Sequence, residues 1–124
     1  MVESPKTSVV LVNYRGASDT LSAIEALSKL PEYPEHLEIV VVDNSSGDDS
    51  MGRLKASPHE FVLVESETNS GFAGGCNLGV TRSTGDIVAF LNSDAKPDSR
   101  WVSAALASFD THESVGAVAS QVVD

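Results

Sequence analysis

Three short runs of almost unbroken apolar residues constrain the fold of this chain more than any other feature. They lie at 9–12, 39–42 and 87–91, and each has the length of a strand rather than of a helix. Strands with one face in water alternate apolar and polar residues, whereas continuous apolar runs are typical of strands covered on both faces. The runs therefore predict a parallel sheet packed between two layers of helices.

The apolar runs alternate with segments of helical spacing. We predict strands at 8–13, 37–43, 61–65, 86–92 and 115–118, and helices at 48–56 and 73–82. Ser18 or Asp19 can cap a first helix, and Asp98 can cap a last one. This order predicts an α/β fold of Rossmann-like type, with a mostly parallel sheet and flanking helices.

The size and charge of the chain limit its class. It has 124 residues, 41% of them hydrophobic, which is the composition of a single globular domain spanning 1–124. A formal net charge of −10 argues against nucleic acid or an anionic membrane surface as a general partner. The single cysteine excludes an intramolecular disulfide. No signal peptide and no apolar run of ~18 residues is present, so we expect a cytoplasmic protein, with membrane association open for a longer chain.

Polar residues follow four of the predicted strands. Asn13 ends the first strand, Asp43 ends the second, Asn69 follows the third, and Asp94 follows the fourth. Because ligands of open parallel sheets bind beyond the carboxyl ends of the strands, these residues predict a polar ligand site at that edge.

Asp43 has two interpretations. A carboxylate at the end of a strand can accept hydrogen bonds from a ribose hydroxyl or from the imino group of a base. Alternatively, Asp43 only caps the turn at 44–47, since Asp and Asn favour turns. The residues alone leave both possibilities open.

The segment Asn92-Ser93-Asp94 gives a sharper signal. A carboxylate at this position can bind Mg²⁺ or Mn²⁺, which prefer oxygen ligands. A single carboxylate is a poor cage, so such an ion needs a diphosphate and water to complete its shell. The alternative is again a loop cap.

A glycine-rich segment covers 69–79. It is neither a dinucleotide-binding G-x-G-x-x-G motif nor a phosphate-binding P-loop. Its small residues allow a ligand or another part of the backbone to approach closely. Binding of an anion by free helix amides and tight packing of a helix on the sheet are both consistent with this composition.

Taken together, four segments closely resemble inverting family 2 glycosyltransferases, most nearly the rhamnosyltransferase-like branch of that family. The segments lie at 8–14, 41–46, 69–77 and 84–94, and read SVVLVNY, VVDNSS, NSGFAGGCN and TGDIVAFLNSD. The resemblance extends from about Thr7 to Val118.

The resemblance implies the glycosyltransferase-A fold, a nucleotide-diphosphate sugar donor linked to UDP or dTDP, and a divalent cation, Mg²⁺ or Mn²⁺, that bridges the diphosphate. Asp94 would be the metal ligand, and Asp43 would bond the base. The nucleotide-binding residues implied by position are Val12, Asn13, Tyr14, Asp43, Asn69, Gly71, Asn77, Asn92 and Ser93.

This sequence departs from the family pattern in two ways. Asn92 replaces the first carboxylate of a D-x-D element, which keeps a hydrogen-bonding group but loses a charge. The catalytic base and the acceptor-binding half of the family lie downstream of that element, and Glu113 and Asp124 match no family motif. We therefore assign no catalytic residue, and expect the nucleotide-binding part of a longer enzyme that glycosylates a glycan or lipid-linked acceptor in cell-surface polysaccharide synthesis. This part alone should bind donor without transferring its sugar.

Two other functions are alternatives to this one. A response-regulator receiver could use Asp43 as phosphoacceptor, but the chain has Asn13 and Tyr14 where receivers need an acidic pair. A non-catalytic sugar-nucleotide-binding or interaction module remains open. Apolar surface on the last strand would favour a homodimer.

Overall fold

The computed structural model describes residues 6–111 and 117, which form strands and helices in strict alternation. The strands are β1 (Thr7–Asn13), β2 (Leu37–Asp43), β3 (Val62–Glu65) and β4 (Ile87–Phe90). The helices are α1 (Ala17–Ser28), α2 (Ser50–Lys55), α3 (Gly71–Arg82) and α4 (Trp101–Thr111). None of these helices is both long and apolar enough to cross a bilayer.

The four strands form one sheet in the order β3-β2-β1-β4, and every neighbouring pair is parallel. The longest ladder joins β1 to β2, from Thr7 opposite Leu37 to Asn13 opposite Asp43. Parallel pairing puts the carboxyl ends of all four strands on one side, which we call the carboxyl edge. The predicted α/β fold with a parallel sheet is thus confirmed. The strand predicted at 115–118 falls, apart from Ala117, outside the described residues.

Both faces of the sheet are covered, which explains the unbroken apolar runs. Odd-numbered residues of β1 and β2 pack against α1, α2 and α4 on one face; even-numbered residues pack against α3 on the other. Each residue of a run therefore enters one of two cores. The members of the first core from β1 and β2 are Val9, Leu11, Ile39 and Val41, and those of the second are Val10, Val40 and Val42.

The third helix lies directly on β1 because two of its residues have no side chain. A Cβ atom at Gly75 would stand 2.7 Å from Val12 Cγ1, and one at Gly79 would collide with Val10. The glycine-rich segment therefore does serve tight packing of a helix on the sheet, one of the two roles that its composition predicted.

The predicted cap of the first helix is wrong. The first helix begins at Ala17 after Gly16, without a side-chain cap from Ser18 or Asp19. Asp98, the predicted cap of the last helix, lies three residues before Trp101, and its Oδ1 accepts the Arg100 amide at 2.9 Å, the kind of bond that a capping side chain makes.

Several element ends also differ from the prediction. The fourth strand stops at 90 rather than 92, because a turn in which the Ala95 amide donates to the Asn92 carbonyl at 2.9 Å follows it. The second helix starts at 50 rather than 48, because Asp48 Oδ1 accepts the Ser50 amide at 2.9 Å. The third helix starts at 71 rather than 73.

Candidate functional site

The carboxyl edge contains a network of buried polar side chains. Its members are at most 2% exposed, although hydroxyl, amide and carboxylate groups usually remain in water. They come from β1, β2, α1 and the loop after β2: Asn13, Asp43, Thr20, Asn44 and Ser46. Buried polar groups are stable only when hydrogen bonded, so the bonds within this network define the geometry of the site.

Asn13 holds the carboxylate of Asp43. The two residues are register partners at the ends of β1 and β2, and Asn13 Nδ2 donates to Asp43 Oδ1 at 2.8 Å. The Thr20 hydroxyl donates to Asn13 Oδ1 at 2.6 Å. A carboxylate oxygen accepts hydrogen bonds, whereas a threonine hydroxyl can donate or accept, so the Asp43 contact fixes which end of the Asn13 amide faces Asp43.

The two oxygens of Asp43 are used unequally. Oδ1 accepts from Asn13 and, at 2.6 Å, from the Ser46 hydroxyl. In the described part of the chain, Oδ2 accepts only the Ser46 amide, at a long 3.3 Å. Asp43 therefore does cap the turn after β2, and its second oxygen keeps capacity to accept a hydrogen bond from a ligand.

An aromatic residue and a cation directly follow β1. Tyr14 is 46% exposed, and the guanidinium carbon of Arg15 lies 5.3 Å from the centre of its ring, within the range of a cation–π contact. Arg15 Nε donates to the Ser46 carbonyl at 2.9 Å, and the Arg15 backbone has a φ of 53°, which is unusual for a residue other than glycine. Sequence reasoning missed Arg15, and an unusual backbone conformation leaves no sequence signal.

Asn44 ties the start of α3 to the end of β2. Its Nδ2 donates to the Gly71 carbonyl at 2.8 Å, and its Oδ1 accepts the Ser70 amide at 3.2 Å. Gly71 has a φ of +74°, and its amide donates to Asn69 Oδ1 at 3.0 Å. Asn69 thus shapes the glycine-rich loop. Sequence reasoning saw Asn44 only as a turn residue.

One acidic residue in the loop after β2, Asp48, has a lowered pKa. Hydrogen bonding by Ser50, helped by the charge of Arg15, lowers the pKa of Asp48. Its carboxylate is therefore ionised at neutral pH and adds negative charge to this edge.

The turn after β4 carries the candidate metal ligand. Asn92 and Asp94 are exposed and Ser93 is half-buried. No group of three or more His, Cys, Asp or Glu side chains within the described ranges could hold a metal ion by itself. A lone exposed carboxylate fits Mg²⁺ or Mn²⁺ only when a ligand and water supply the remaining oxygens, as the sequence indicated.

The predicted site residues do not all lie together. Those at the strand ends and in the loop before α3 meet at the carboxyl edge. Asn77 is exposed and lies midway along α3, where Gly75, Cys76 and Gly79 face the sheet instead. Burial raises the pKa of the Cys76 thiol, which keeps it protonated and consistent with a filler role.

Comparison with known proteins identifies the family. The family model described as "Glycosyl transferase family 2" matches residues 8–124. The succinoglycan biosynthesis protein ExoO of Rhizobium meliloti is 33% identical over 97 residues, which are 76% of this chain and 27% of ExoO. The chain spans about a third of the length of the first curated relatives that it matches.

Two solved structures have a similar fold and contain ligands. Mannosyltransferase PcManGT from Pyrobaculum calidifontis, in complex with GDP-Man and Mn²⁺, is 26% identical, with a TM-score of 0.71 over 77% of this chain and 29% of that one. S. aureus TarS 1–349, in complex with UDP-GlcNAc, is 27% identical, with a TM-score of 0.74 over 87% of this chain and 32% of that one. The fold is that of the glycosyltransferase-A class, and the chain belongs to glycosyl transferase family 2.

Proposed function

We propose that this chain is the donor-binding part of an inverting glycosyltransferase. It would bind a nucleotide-diphosphate sugar, whose sugar is transferred to a hydroxyl of a glycan or lipid-linked acceptor. One observation carries the proposal: the hydrogen-bonded pair Asn13 and Asp43 ends β1 and β2, and the turn that contains Asp94 follows β4, the other neighbour of β1. Ligands of parallel sheets bind at that edge.

The base and ribose would lie over the ends of β1 and β2. The free capacity of Asp43 Oδ2 suits a donor group on a base, and Tyr14 offers an exposed ring beside it. The other nucleotide contacts in the proposal are Val12, Asn13, Asn69, Gly71, Asn77, Asn92 and Ser93. The solved structures with GDP-Man and UDP-GlcNAc support a nucleotide-sugar ligand, and our proposal for this chain is a donor linked to UDP or dTDP.

Asp94 would hold a divalent cation together with the diphosphate. The Mn²⁺ in the mannosyltransferase structure supports this choice of ion. When bound, the cation would stabilise the negative charge that develops on the departing nucleoside diphosphate. Asn92, which is neutral, would leave this position with less affinity for metal before the donor arrives.

The acceptor hydroxyl also needs a group that takes its proton. We assign no residue of this chain to that role. We propose that it lies in the part of the relatives that this chain does not span. The polysaccharide relative ExoO supports a role in polysaccharide synthesis.

A thermal-shift screen tests the donor site. UDP, dTDP and GDP are each added with Mn²⁺, with Mg²⁺ and with neither. A ligand at 100 times its Kd should stabilise the fold by about 2.7 kcal/mol. Asp94→Ala should remove the part of the shift that depends on metal, whereas Asp98→Ala, an exposed carboxylate in the same loop, should keep it. No shift with any nucleotide, or a metal response that survives in Asp94→Ala, contradicts the proposal.

A further inference from the structure

An aromatic ring stands at the carboxyl edge with no role in the packing of the fold. Phe72, in the first turn of α3, is 54% exposed, and Tyr14 at the end of β1 is 46% exposed. Neither ring packs against the two apolar clusters formed by the described residues, whereas Tyr33, Phe61 and Trp101 do. The stability of the domain therefore does not explain Phe72.

The packing of α3 on β1 places Phe72 near Tyr14. The helix runs antiparallel to the strand, since Gly79 faces Val10 and Gly75 faces Val12. Four helical residues and two strand residues both advance about 6 to 7 Å, so the two elements stay in step. Phe72 lies on the same helix face as Gly75, about 4.5 Å nearer the edge, which brings it level with the end of β1.

The direction of the ring follows from helix geometry. Side chains in a helix point back toward its N-terminus, so the Phe72 ring projects past the end of α3 and over the carboxyl edge. This geometry would put Phe72 and Tyr14 on two sides of the space above the end of β1. Asp43 ends β2 at the same edge, as the register partner of Asn13, and its carboxylate is bonded to Asn13 and Ser46.

The residues beside both rings are held in place without a ligand. Asn44 Nδ2 binds the Gly71 carbonyl at 2.8 Å, and Asn69 Oδ1 accepts the Gly71 amide at 3.0 Å, so the residue before Phe72 is fixed on both sides. Arg15 lies over Tyr14, and its Nε is bound to the Ser46 carbonyl. A site with pre-ordered walls loses less entropy when a ligand binds.

Building on the proposed function, we propose that Phe72 is the second wall of an aromatic clamp, opposite Tyr14, that stacks on the nucleobase of the donor. A nucleobase is a flat group with two apolar faces and a polar rim. Such a group suits a site with two aromatic walls. The diphosphate requires cations and the sugar requires hydrogen-bonding partners, and a phenyl ring supplies neither. Because every base has an apolar face, Phe72 contributes affinity, and the choice of base falls to polar groups such as Asp43.

Calorimetric titration of Phe72 variants tests the clamp. UDP, dTDP and GDP are screened first; the nucleotide that binds the wild type, its nucleoside and inorganic pyrophosphate are then used as probes. Loss of one stacking ring should weaken binding of both nucleotide and nucleoside by about 5- to 150-fold in Phe72→Leu. Pyrophosphate binding should not change, and Phe72→Trp should restore the affinity for the nucleotide.

Fluorescence gives a readout that a merely structural role would not affect. The natural chain has one tryptophan, Trp101, which provides the background signal. The emission added by Phe72→Trp should be quenched by the nucleotide in a saturable way. The emission added by Val80→Trp should not, because Val80 is also exposed but lies two turns farther along α3.

The outcomes separate the clamp from the proposed function. If the wild type binds a nucleotide and Phe72→Leu binds it equally well, the clamp is wrong and the donor site stands. A loss of pyrophosphate binding in Phe72→Leu also overturns the clamp, since it places the ring at the phosphates. If the wild type binds none of the three nucleotides, both proposals fail.

Discussion

At the end of β1, one fully buried amide joins three parts of the chain. Asn13 accepts a hydrogen bond from Thr20 in α1 and donates one to Asp43 in β2. An unpartnered polar atom in the interior costs more free energy than a satisfied bond contributes, so each partner constrains the others. The position of Asp43 at the proposed base site therefore depends on a threonine that touches no ligand.

Replacing Thr20 tests this dependence. In Thr20→Val, Asn13 Oδ1 stays buried without its donor, and the free energy of unfolding should fall by about 1–3 kcal/mol. Thr81→Val is the matched control, because its hydroxyl is exposed on α3 and the change should stay within about 0.5 kcal/mol. Urea unfolding of both variants measures the difference. Equal stability of the two variants would contradict a structural role for the Thr20 bond.

The sequence predicted where the polar residues lie but not what their side chains do. Residues at the ends of parallel strands must share one edge, so the positions of Asn13 and Asp43 followed from the strands alone. The Asn13 side chain turned out to be buried and fully hydrogen bonded, and Arg15 and Asn44 were missed. Their contacts cross from one loop to another, and no local pattern encodes such pairs.

Among the elements, α3 departs most from its local propensities. Its glycines each cost about 1 kcal/mol relative to alanine in a helix, and the sequence accordingly predicted a weak helix. The structure shows that Gly75 and Gly79 let the helix settle on Val12 and Val10 of β1. Burial of those valines offsets the unfavourable propensity, which is a tertiary effect that a single segment cannot reveal.

Two glycine-to-alanine variants separate propensity from packing. In Gly79→Ala the new methyl group would collide with Val10, so stability should fall by about 1–3 kcal/mol despite the better helix propensity of alanine. In Gly52→Ala of α2 there is open space around the new atom, and stability should rise by up to about 1 kcal/mol. Thermal and urea unfolding measure the change in stability of each variant, which should be a loss for Gly79→Ala and a gain for Gly52→Ala. A stabilised Gly79→Ala protein would show that α3 can lift from β1 at no cost.

Some ends of strands and helices matched the prediction, and others were moved by hydrogen-bonded turns. The bounds of β2 matched the prediction, because an apolar run ends there at a charged residue in the ladder. The end of β4 and the starts of α1 and α2 did not match, because turns at Asn92 and Asp48 and the Gly16 cap of α1 set them. Such turns shift the end of a helix or strand by one or two residues, and the spacing of apolar residues cannot locate an end that closely.

On the scale of the whole molecule, the edge opposite the site has its own polar network. Glu38 Oε2 in β2 accepts from the Ser8 hydroxyl at 2.7 Å and from the Thr84 amide at 3.0 Å. Lys6 Nζ donates to the Thr84 hydroxyl at 2.8 Å. Burial raises the pKa of Glu38, but the bonds from Ser8 and Thr84 and the charge of Lys6 together outweigh it, so the pKa is lowered.

This network makes part of the stability dependent on pH. A carboxylate whose pKa is lower in the folded than in the unfolded protein stabilises the fold above its unfolded pKa, and that stability is lost as pH falls through the folded pKa. Glu38→Gln should therefore be less stable than the wild type at pH 7, and the difference should shrink as the pH falls below 4.5, the ordinary value for this group. Urea unfolding across this range measures it. Glu35→Gln removes an exposed carboxylate in the loop before β2, and its difference in free energy of unfolding from the wild type should not shrink in this way. If the difference for Glu38→Gln were the same at low pH as at pH 7, the ionic contribution would be ruled out.

The net charge of the molecule also bears on how a donor could bind. Arg15 is the single cation in the loops after β1, β2 and β3, at 14–16, 44–49 and 66–70, against a formal charge of −10 for the chain. A nucleoside diphosphate is an anion, so without a divalent cation the protein should repel it over distances that salt can screen. The screening length falls from about 30 Å at 0.01 M salt to about 10 Å at 0.1 M. We therefore expect UDP to bind more tightly as NaCl rises over this range when metal is absent, and this dependence to weaken when Mn²⁺ reduces the charge of the ligand.

Calorimetric titration measures the affinity of UDP with and without Mn²⁺ at each salt concentration, with uncharged uridine as the control whose affinity should not respond. If salt weakened UDP binding instead, local attraction by Arg15 would outweigh the field of the whole chain, and the cation at Asp94 would not be required for charge compensation.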